Sequence, residues 1–209
     1  MEHENNNGQY VTASTILGPF YRNDTPVLPC GGSVIKKDVG GETAIVHEVV
    51  RSSNGKPIGG AEIHVWHTAP NGRYEQQDPE QPDFNLRGRF ITDAEGRYSF
   101  QCLRPTSYSI PYDGPAGDLL KIMDRHPMRP GHIHFRVNAA GHRELITQVF
   151  DQRDEYVHND TVFAVKDELI VNFIPRNEES RIPEEVEGSP RKDVEFELKY
   201  DIVLKELPS

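Results

Sequence analysis

The feature that most restricts this chain is how briefly each apolar run lasts. Short segments rich in β-branched and aromatic residues follow one another, and each is closed off by Gly, Asn, Asp or Pro. "TAIVHEVV" is followed by the turn "RSSNGKPIGG" and then by "AEIHVWHTA". "GRFIT" and "RYSFQCL" flank "DAEG", and "HIHFRVNA" and "RELITQVF" flank "AAGH", which reads as two hairpins. "FAVKDELIVNFI" and "EFELKYDIVLKEL" supply late strands. Ile63, Val65 and His67 recur with a period of two, as side chains on one face of a strand do. Helical signal is confined to "GPAGDLLKIMDRH", enough for one or two turns, and there are no heptads or internal repeats. The expected fold is all-β: a two-sheet β-sandwich with long loops and little helix.

Residues 1–10 read as a polar tail and 11–209 as one sandwich domain, a size a single β-rich core can reach. "RNEESRIPEEVEGSPRK", residues 176–192, reads as a solvated loop between strands. Acids outnumber bases 33 to 23, a formal net charge of -10. This argues against a broad nucleic-acid or anionic-membrane surface, since both need clustered positive charge. A small anionic substrate stays open, because one buried arginine can bind it. The N-terminus lacks the basic start and apolar run of a secretory signal, and no stretch approaches the ~18 apolar residues of a membrane helix. Cys30 and Cys102 stand in unrelated contexts and are read as reduced thiols of a cytoplasmic protein.

One stretch asks for a chemical explanation. "HPMRPGHIHFRV" places His132 and His134 two residues apart within a strand, hence on one face. Two imidazoles side by side form half of a metal site, although H-x-H alone is weak evidence. Arg129 and Pro130 precede the pair, and upstream loops hold Tyr74, Tyr108 and Tyr112. No H-E-x-x-H is present, so further ligands would be tyrosines or distant acids.

The chain resembles the intradiol ring-cleaving catechol dioxygenases. The matching pieces follow the family's order: "LGPFYR", "GKPIGGAEIHVWHTAPNGRY", "FNLRGRFITDAEGRYSF", "RPTSYSIPYDGPAGDLL", "RHPMRPGHIHFRVNAAGHRELITQVF" and "DTVFAVKDELIV". The resemblance implies one Fe(III) per chain, held by Tyr74, Tyr108, His132 and His134. It implies cleavage of hydroxyquinol or catechol by dioxygen between the two hydroxylated carbons, giving cis,cis-muconate-type products. Tyr108 would leave the metal and take a substrate proton, while Tyr74 stays bound. Arg129 would stabilise the anionic ring, and Gln148 matches a pocket residue. Leu17, Gly18, Pro19, Ile110, Thr161 and Val162 would line the ring pocket with Arg129. His64, His67 and His126 are read as structural.

Relatives carry a long N-terminal helical region that forms a dimer contact and a lipid tunnel. Here "LGPFYR" begins at Leu17, so that region is expected to be missing and its dimer mode is not carried over, although a homodimer stays open. "LGPFYR", "NLRGRF" and "YSIPYDGP" look more like hydroxyquinol-type enzymes than protocatechuate-type ones. Two other readings remain: a catalytically silent β-sandwich binding module, and a zinc hydrolase using His132 and His134 with Asp151 or Asp160.

Overall fold

The computed structural model describes residues 10–176 and 194–208. The loop expected over 176–192 therefore falls outside the described residues except for Arg176, as do the first nine residues of the expected tail.

Two five-stranded sheets form the body. The strands in chain order are β1 (Thr43–Ser52), β2 (Glu62–Trp66), β3 (Arg87–Ile91), β4 (Arg97–Leu103), β5 (Tyr108–Ser109), β6 (Met128–Arg129), β7 (His132–Asn138) and β8 (Leu145–Asp151). They end with β9 (Ile170–Val171), β10 (Ile174–Pro175), β11 (Phe196–Lys199) and β12 (Ile202–Leu204). The first sheet centres on β1, with antiparallel β4 on one edge and, end to end along the other, parallel β11 and β12. The second runs β3-β2-β7-β8-β9. Strands β5 and β6 make a separate two-stranded ribbon. The only α-helix among the described residues, α1 (Pro115–Ile122), begins as its sequence suggests, with Gly114 at the N-cap and proline in the first turn, where its missing N–H costs nothing.

The two sheets face each other across one apolar core. Ala44, Val46, Phe100 and Ile202 come from the first sheet, and Ile63, Val65, Phe90, Ile133, Phe135 and Val149 from the second. Along β7 the pleat sends Ile133, Phe135 and Val137 into this core. His132, His134 and Arg136 therefore point to the outer face of the second sheet. Cys30 and Cys102 are both free.

Two expectations need correction. "GRFIT" and "RYSFQCL" do not pair as a hairpin: β3 pairs with β2, while β4 pairs with β1 in the other sheet. The "DAEG" turn is present, closed by the Gly96 N–H bonded to the Asp93 carbonyl at 3.0 Å, but it hands the chain from one sheet to the other. "FAVKDELIVNFI" is mostly loop, with a 3-10 turn at Asp167–Leu169 before β9. Its Ala164 and Leu169 pack with Ala13, Phe150 and Val157 in a satellite cluster, so their apolarity serves packing rather than a ladder. The "AAGH" hairpin is as expected, with β7 and β8 antiparallel from His132↔Phe150 to Val137↔Leu145.

Phe135 is wholly buried, its ring 6.0 Å from Phe100 and 5.6 Å from Tyr200. We expect Phe135→Ala to cost about 3–5 kcal/mol of stability in urea unfolding, while Arg136→Ala, one residue along on the opposite face, costs under about 1 kcal/mol.

Candidate metal centre

A row of residues crosses the outer face of the second sheet. Arg87 on β3 pairs with Trp66 on β2, Trp66 with His134 on β7, and His134 with Gln148 on β8. The Trp66 indole stacks flat on the His134 ring at 4.6 Å and 5°. Because each residue of the row is fixed by its own ladder, His134 has little freedom to turn. His132 is held by a different device, its Nδ1 lying 2.7 Å from the Pro130 carbonyl oxygen. That acceptor requires a proton on Nδ1 and leaves Nε2 as the ring's lone-pair nitrogen.

Loops close over this row. After β2 the chain reverses through a turn in which the Ala69 carbonyl accepts the Gly72 N–H at 2.9 Å, Gly72 standing at φ 77°. The reversal brings Tyr74 back over the sheet, where its ring stacks on Phe20 at 4.4 Å. Tyr108 arrives on β5, directly opposite Arg129 on β6, and Pro130 and Gly131 then lead into His132. The ribbon thus fixes Tyr108, Arg129 and His132 relative to one another. A Cβ at Gly131 would stand 2.6 Å from the Pro105 carbonyl oxygen, so glycine is needed for the ribbon to lie this close. The Tyr74 and Tyr108 rings meet edge-on at 6.0 Å, Tyr108 lies 5.5 Å from His132, and Tyr74 lies 6.4 Å from His134.

The two imidazole Nε2 atoms are 3.2 Å apart. Two nitrogens bound to one ion at about 2.1 Å, near a right angle, have this separation. Burial, reinforced by Arg129, holds both imidazoles well below the usual histidine range, so they are neutral donors at pH 7. Burial pushes the Tyr74 phenol well above its usual range, and Tyr108 adds to the effect. Such a phenol ionises near neutral pH only against a cation, and two phenols beside two neutral imidazoles form a donor set suited to a hard, highly charged metal. Among the described residues no three His, Cys, Asp or Glu side chains converge on a possible ion, so a zinc site of the hydrolase kind has no third ligand. Asp151 is engaged with Arg104 at 2.5 Å, and Asp160 with Arg129 at 3.2 Å.

The remaining candidates divide. Arg129 is buried, with Nη1 3.2 Å from His132 Nε2 and Nη2 donating to Gln148 Oε1 at 3.0 Å. Leu17 and Ile110 pack on the cluster of Trp66, Tyr74 and Tyr108. Gly18 abuts His134, where a Cβ would stand 3.2 Å from Cε1. The Thr161 hydroxyl, beside the Asp160 that grips Arg129, is buried without a partner among the described residues. Pro19 is exposed on a turn, and Val162 packs into the satellite cluster rather than on the tyrosines. His64 pairs with Glu62 at 2.8 Å, and His126 accepts the Met128 N–H at 3.1 Å. Sequence reasoning weighed Asp160 only as a ligand of a zinc hydrolase, and it missed Trp66, Phe20 and Arg87. The last is buried in an ion pair with Glu75 at 2.6 Å, its guanidinium carbon 5.6 Å from the Tyr74 ring centroid.

With this arrangement in place, the match to a family model for dioxygenases over residues 16–206 is decisive. The chain belongs to the intradiol dioxygenase family. It is 52% identical over 198 residues to a catechol 1,2-dioxygenase of Candida albicans, covering 92% of this chain and 62% of that protein. It is 44% identical to a hydroxyquinol 1,2-dioxygenase of Rhizobium sp., covering 78% and 55%. The crystal structure of hydroxyquinol 1,2-dioxygenase from Pseudomonas putida DLL-E4 superposes with a TM-score of 0.86 at 36% identity, covering 94% of this chain and 67% of that one. This intradiol dioxygenase chain thus spans only some three-fifths of the curated relatives it matches.

Burial also pushes the His67 imidazole down to about 4. A histidine kept neutral by the fold contributes stability that is present above its unfolded value of about 6.5 and lost as pH falls towards 4. We expect metal-free protein to lose about 2 kcal/mol through His67 between pH 7 and pH 5, more with His132 and His134 acting in the same direction. His67→Gln should flatten the pH dependence of the urea midpoint by that increment.

Proposed function

We propose that this chain binds one ferric ion through Tyr74, Tyr108, His132 and His134 and cleaves catechols between their hydroxylated carbons with dioxygen, both oxygen atoms entering a cis,cis-muconate-type product. The observation carrying this reading is the convergence of two buried phenols on two imidazole Nε2 atoms 3.2 Å apart. Membership of the intradiol family supports the reaction type. When bound, the ferric ion supplies the charge that acidifies both phenols and the catechol hydroxyls, and the electron-accepting centre that opens the ring to dioxygen.

The protein's own groups divide the rest of the work. His132 and His134 enter as neutral donors and need lose no proton. Tyr74 is 1% exposed, clamped by Phe20, and stays in place. Tyr108 is 8% exposed on a two-residue strand directly opposite Arg129, so it is the phenol placed to take a substrate proton. Arg129, beside His132 and opposite Tyr108, offers fixed positive charge to an anionic ring. Trp66, Leu17 and Ile110 exclude water from that charge. The partners are a small catechol and dioxygen, and among the described residues no helix is long and apolar enough to cross a membrane.

We expect purified protein to be wine-red to purple with about one iron per chain; stoichiometric zinc and no visible band would overturn the assignment. His132→Ala and His134→Ala should each strip the metal. Tyr108→Phe should keep iron but slow catechol binding, whereas Tyr74→Phe should disturb the resting colour more. Hydroxyquinol should be cleaved at least as efficiently as catechol, since the Thr161 hydroxyl has no partner among the described residues and can meet a third substrate hydroxyl. Protocatechuate should be poor, because Arg129 and Arg87 are already paired with Asp160 and Glu75 and neither is left to clamp a ring carboxylate. Oxygen-uptake values of kcat/KM for the three substrates decide this; a tenfold preference for protocatechuate overturns it.

A further inference from the structure

Arg129 is a charged side chain on a flexible stem, buried among neutral groups, and one carboxylate faces it. Asp160 Oδ1 lies 3.2 Å from Arg129 Nε, and Oδ2 lies 3.4 Å from Nη2. The same two oxygens accept the backbone N–H groups of Val162 at 3.2 Å and Ala164 at 2.9 Å. Each oxygen thus has two donors, and the Asp160 side chain is only 2% exposed. A fully satisfied carboxylate gripping one edge of a planar guanidinium fixes the plane as well as the position. With the Nε–Nη2 edge taken by Asp160, and Nη2 also donating to Gln148, Nη1 is the end left to face His132.

We propose that Asp160 is a positioning residue of the active site. It acts through Arg129, locking the guanidinium in the orientation that meets the anionic ring. This rests on the catechol-cleaving reading above. Asp160 lies on a loop 26 residues beyond His134, outside the histidine motif, and only the folded arrangement brings it to the site. A positioning role differs from a loop brace in one respect. A brace for the 160–164 turn acts whether or not position 129 is arginine, whereas a positioner has nothing to position once the guanidinium is gone.

The test is a double-mutant cycle on the iron-loaded full chain, with Asp160→Asn, Arg129→Ala and the double variant compared with the unmodified protein. Oxygen uptake gives kcat and KM; anaerobic catechol titration of the visible band gives affinity and shows the state of the metal. Asp160→Asn should lower kcat by roughly 10- to 100-fold. Its iron content and resting band should be unchanged, and its catechol affinity should stay within about threefold, because the lost interaction matters most as charge develops on the ring. The double variant should be no slower than Arg129→Ala alone, and Asp160→Glu should regain part of the loss. If Asp160→Asn slows the Arg129→Ala protein by the same factor as the unmodified protein, or leaves kcat intact, the proposal is overturned. Should Asp160→Asn fail to fold, Arg129→Lys decides: it keeps the charge but cannot take the two-pronged grip, and wild-type kcat in that variant overturns the proposal. Absence of turnover in the unmodified chain overturns the catalytic reading, and this inference with it; loss confined to the variants speaks to Asp160 alone.

Discussion

The pleat of β7 is the constraint on which the rest of the structure depends. Ile133, Phe135 and Val137 are committed to the core between the sheets, and a slip of one residue would expose all three. That commitment forces His132 and His134 to the opposite face. They are nevertheless buried, because the segments that carry Phe20, Tyr74 and Tyr108 close over them. One strand thus belongs to two interiors: an apolar one that supplies the driving force for folding, and a polar one that the apolar one holds in register. The cross-strand row of Arg87, Trp66, His134 and Gln148 inherits its precision from the same ladder.

The polar interior is charged in a balanced way. Arg129 and Arg87 flank the two phenols from different sides, and each is matched by one buried acid, Asp160 or Glu75. An unmatched cation so deep would be costly to hold, and matched to excess it would have nothing to offer an anionic ligand. Burial keeps the Tyr74 phenol and both imidazoles neutral in the fold without metal. The centre is poised to exchange protons for a cation, which makes its loading sensitive to acid.

How much of this was legible beforehand differed by element. The alternation in "HIHFRV" was enough to put the two histidines on one face, because a period of two is a local property. The convergence of Tyr74 and Tyr108 on them was not; it came from resemblance to a family, and the fold then brought the four together. The "DAEG" stretch shows why local signals stop short. Asp93 to Gly96 encode a reversal of direction, but which strand supplies hydrogen bonds to β3 or β4 depends on partners dozens of residues away. "FAVKDELIVNFI" misled for a related reason, since a loop that must cover a site also needs apolar residues to anchor it. Asp160, Trp66 and Arg87 lie within stretches that match the family, but nothing local assigns them a role. Their roles exist only as distances.

The parallel pairing of β11 and β12 along one edge of β1 reaches into the biosynthesis of the chain. Ala44 meets Phe196, and Val50 meets Ile202, so that edge of β1 receives its partners only after about 150 further residues have been made. Until then the nascent chain carries an open strand edge, the feature through which β-rich intermediates find wrong partners. The other edge is covered much earlier, by β4, and the hairpin of β7 and β8 closes locally. The histidine-bearing hairpin can therefore form on the ribosome well before the first sheet is complete. Closure of that sheet, a contact across some 150 residues, is the natural slow step of folding.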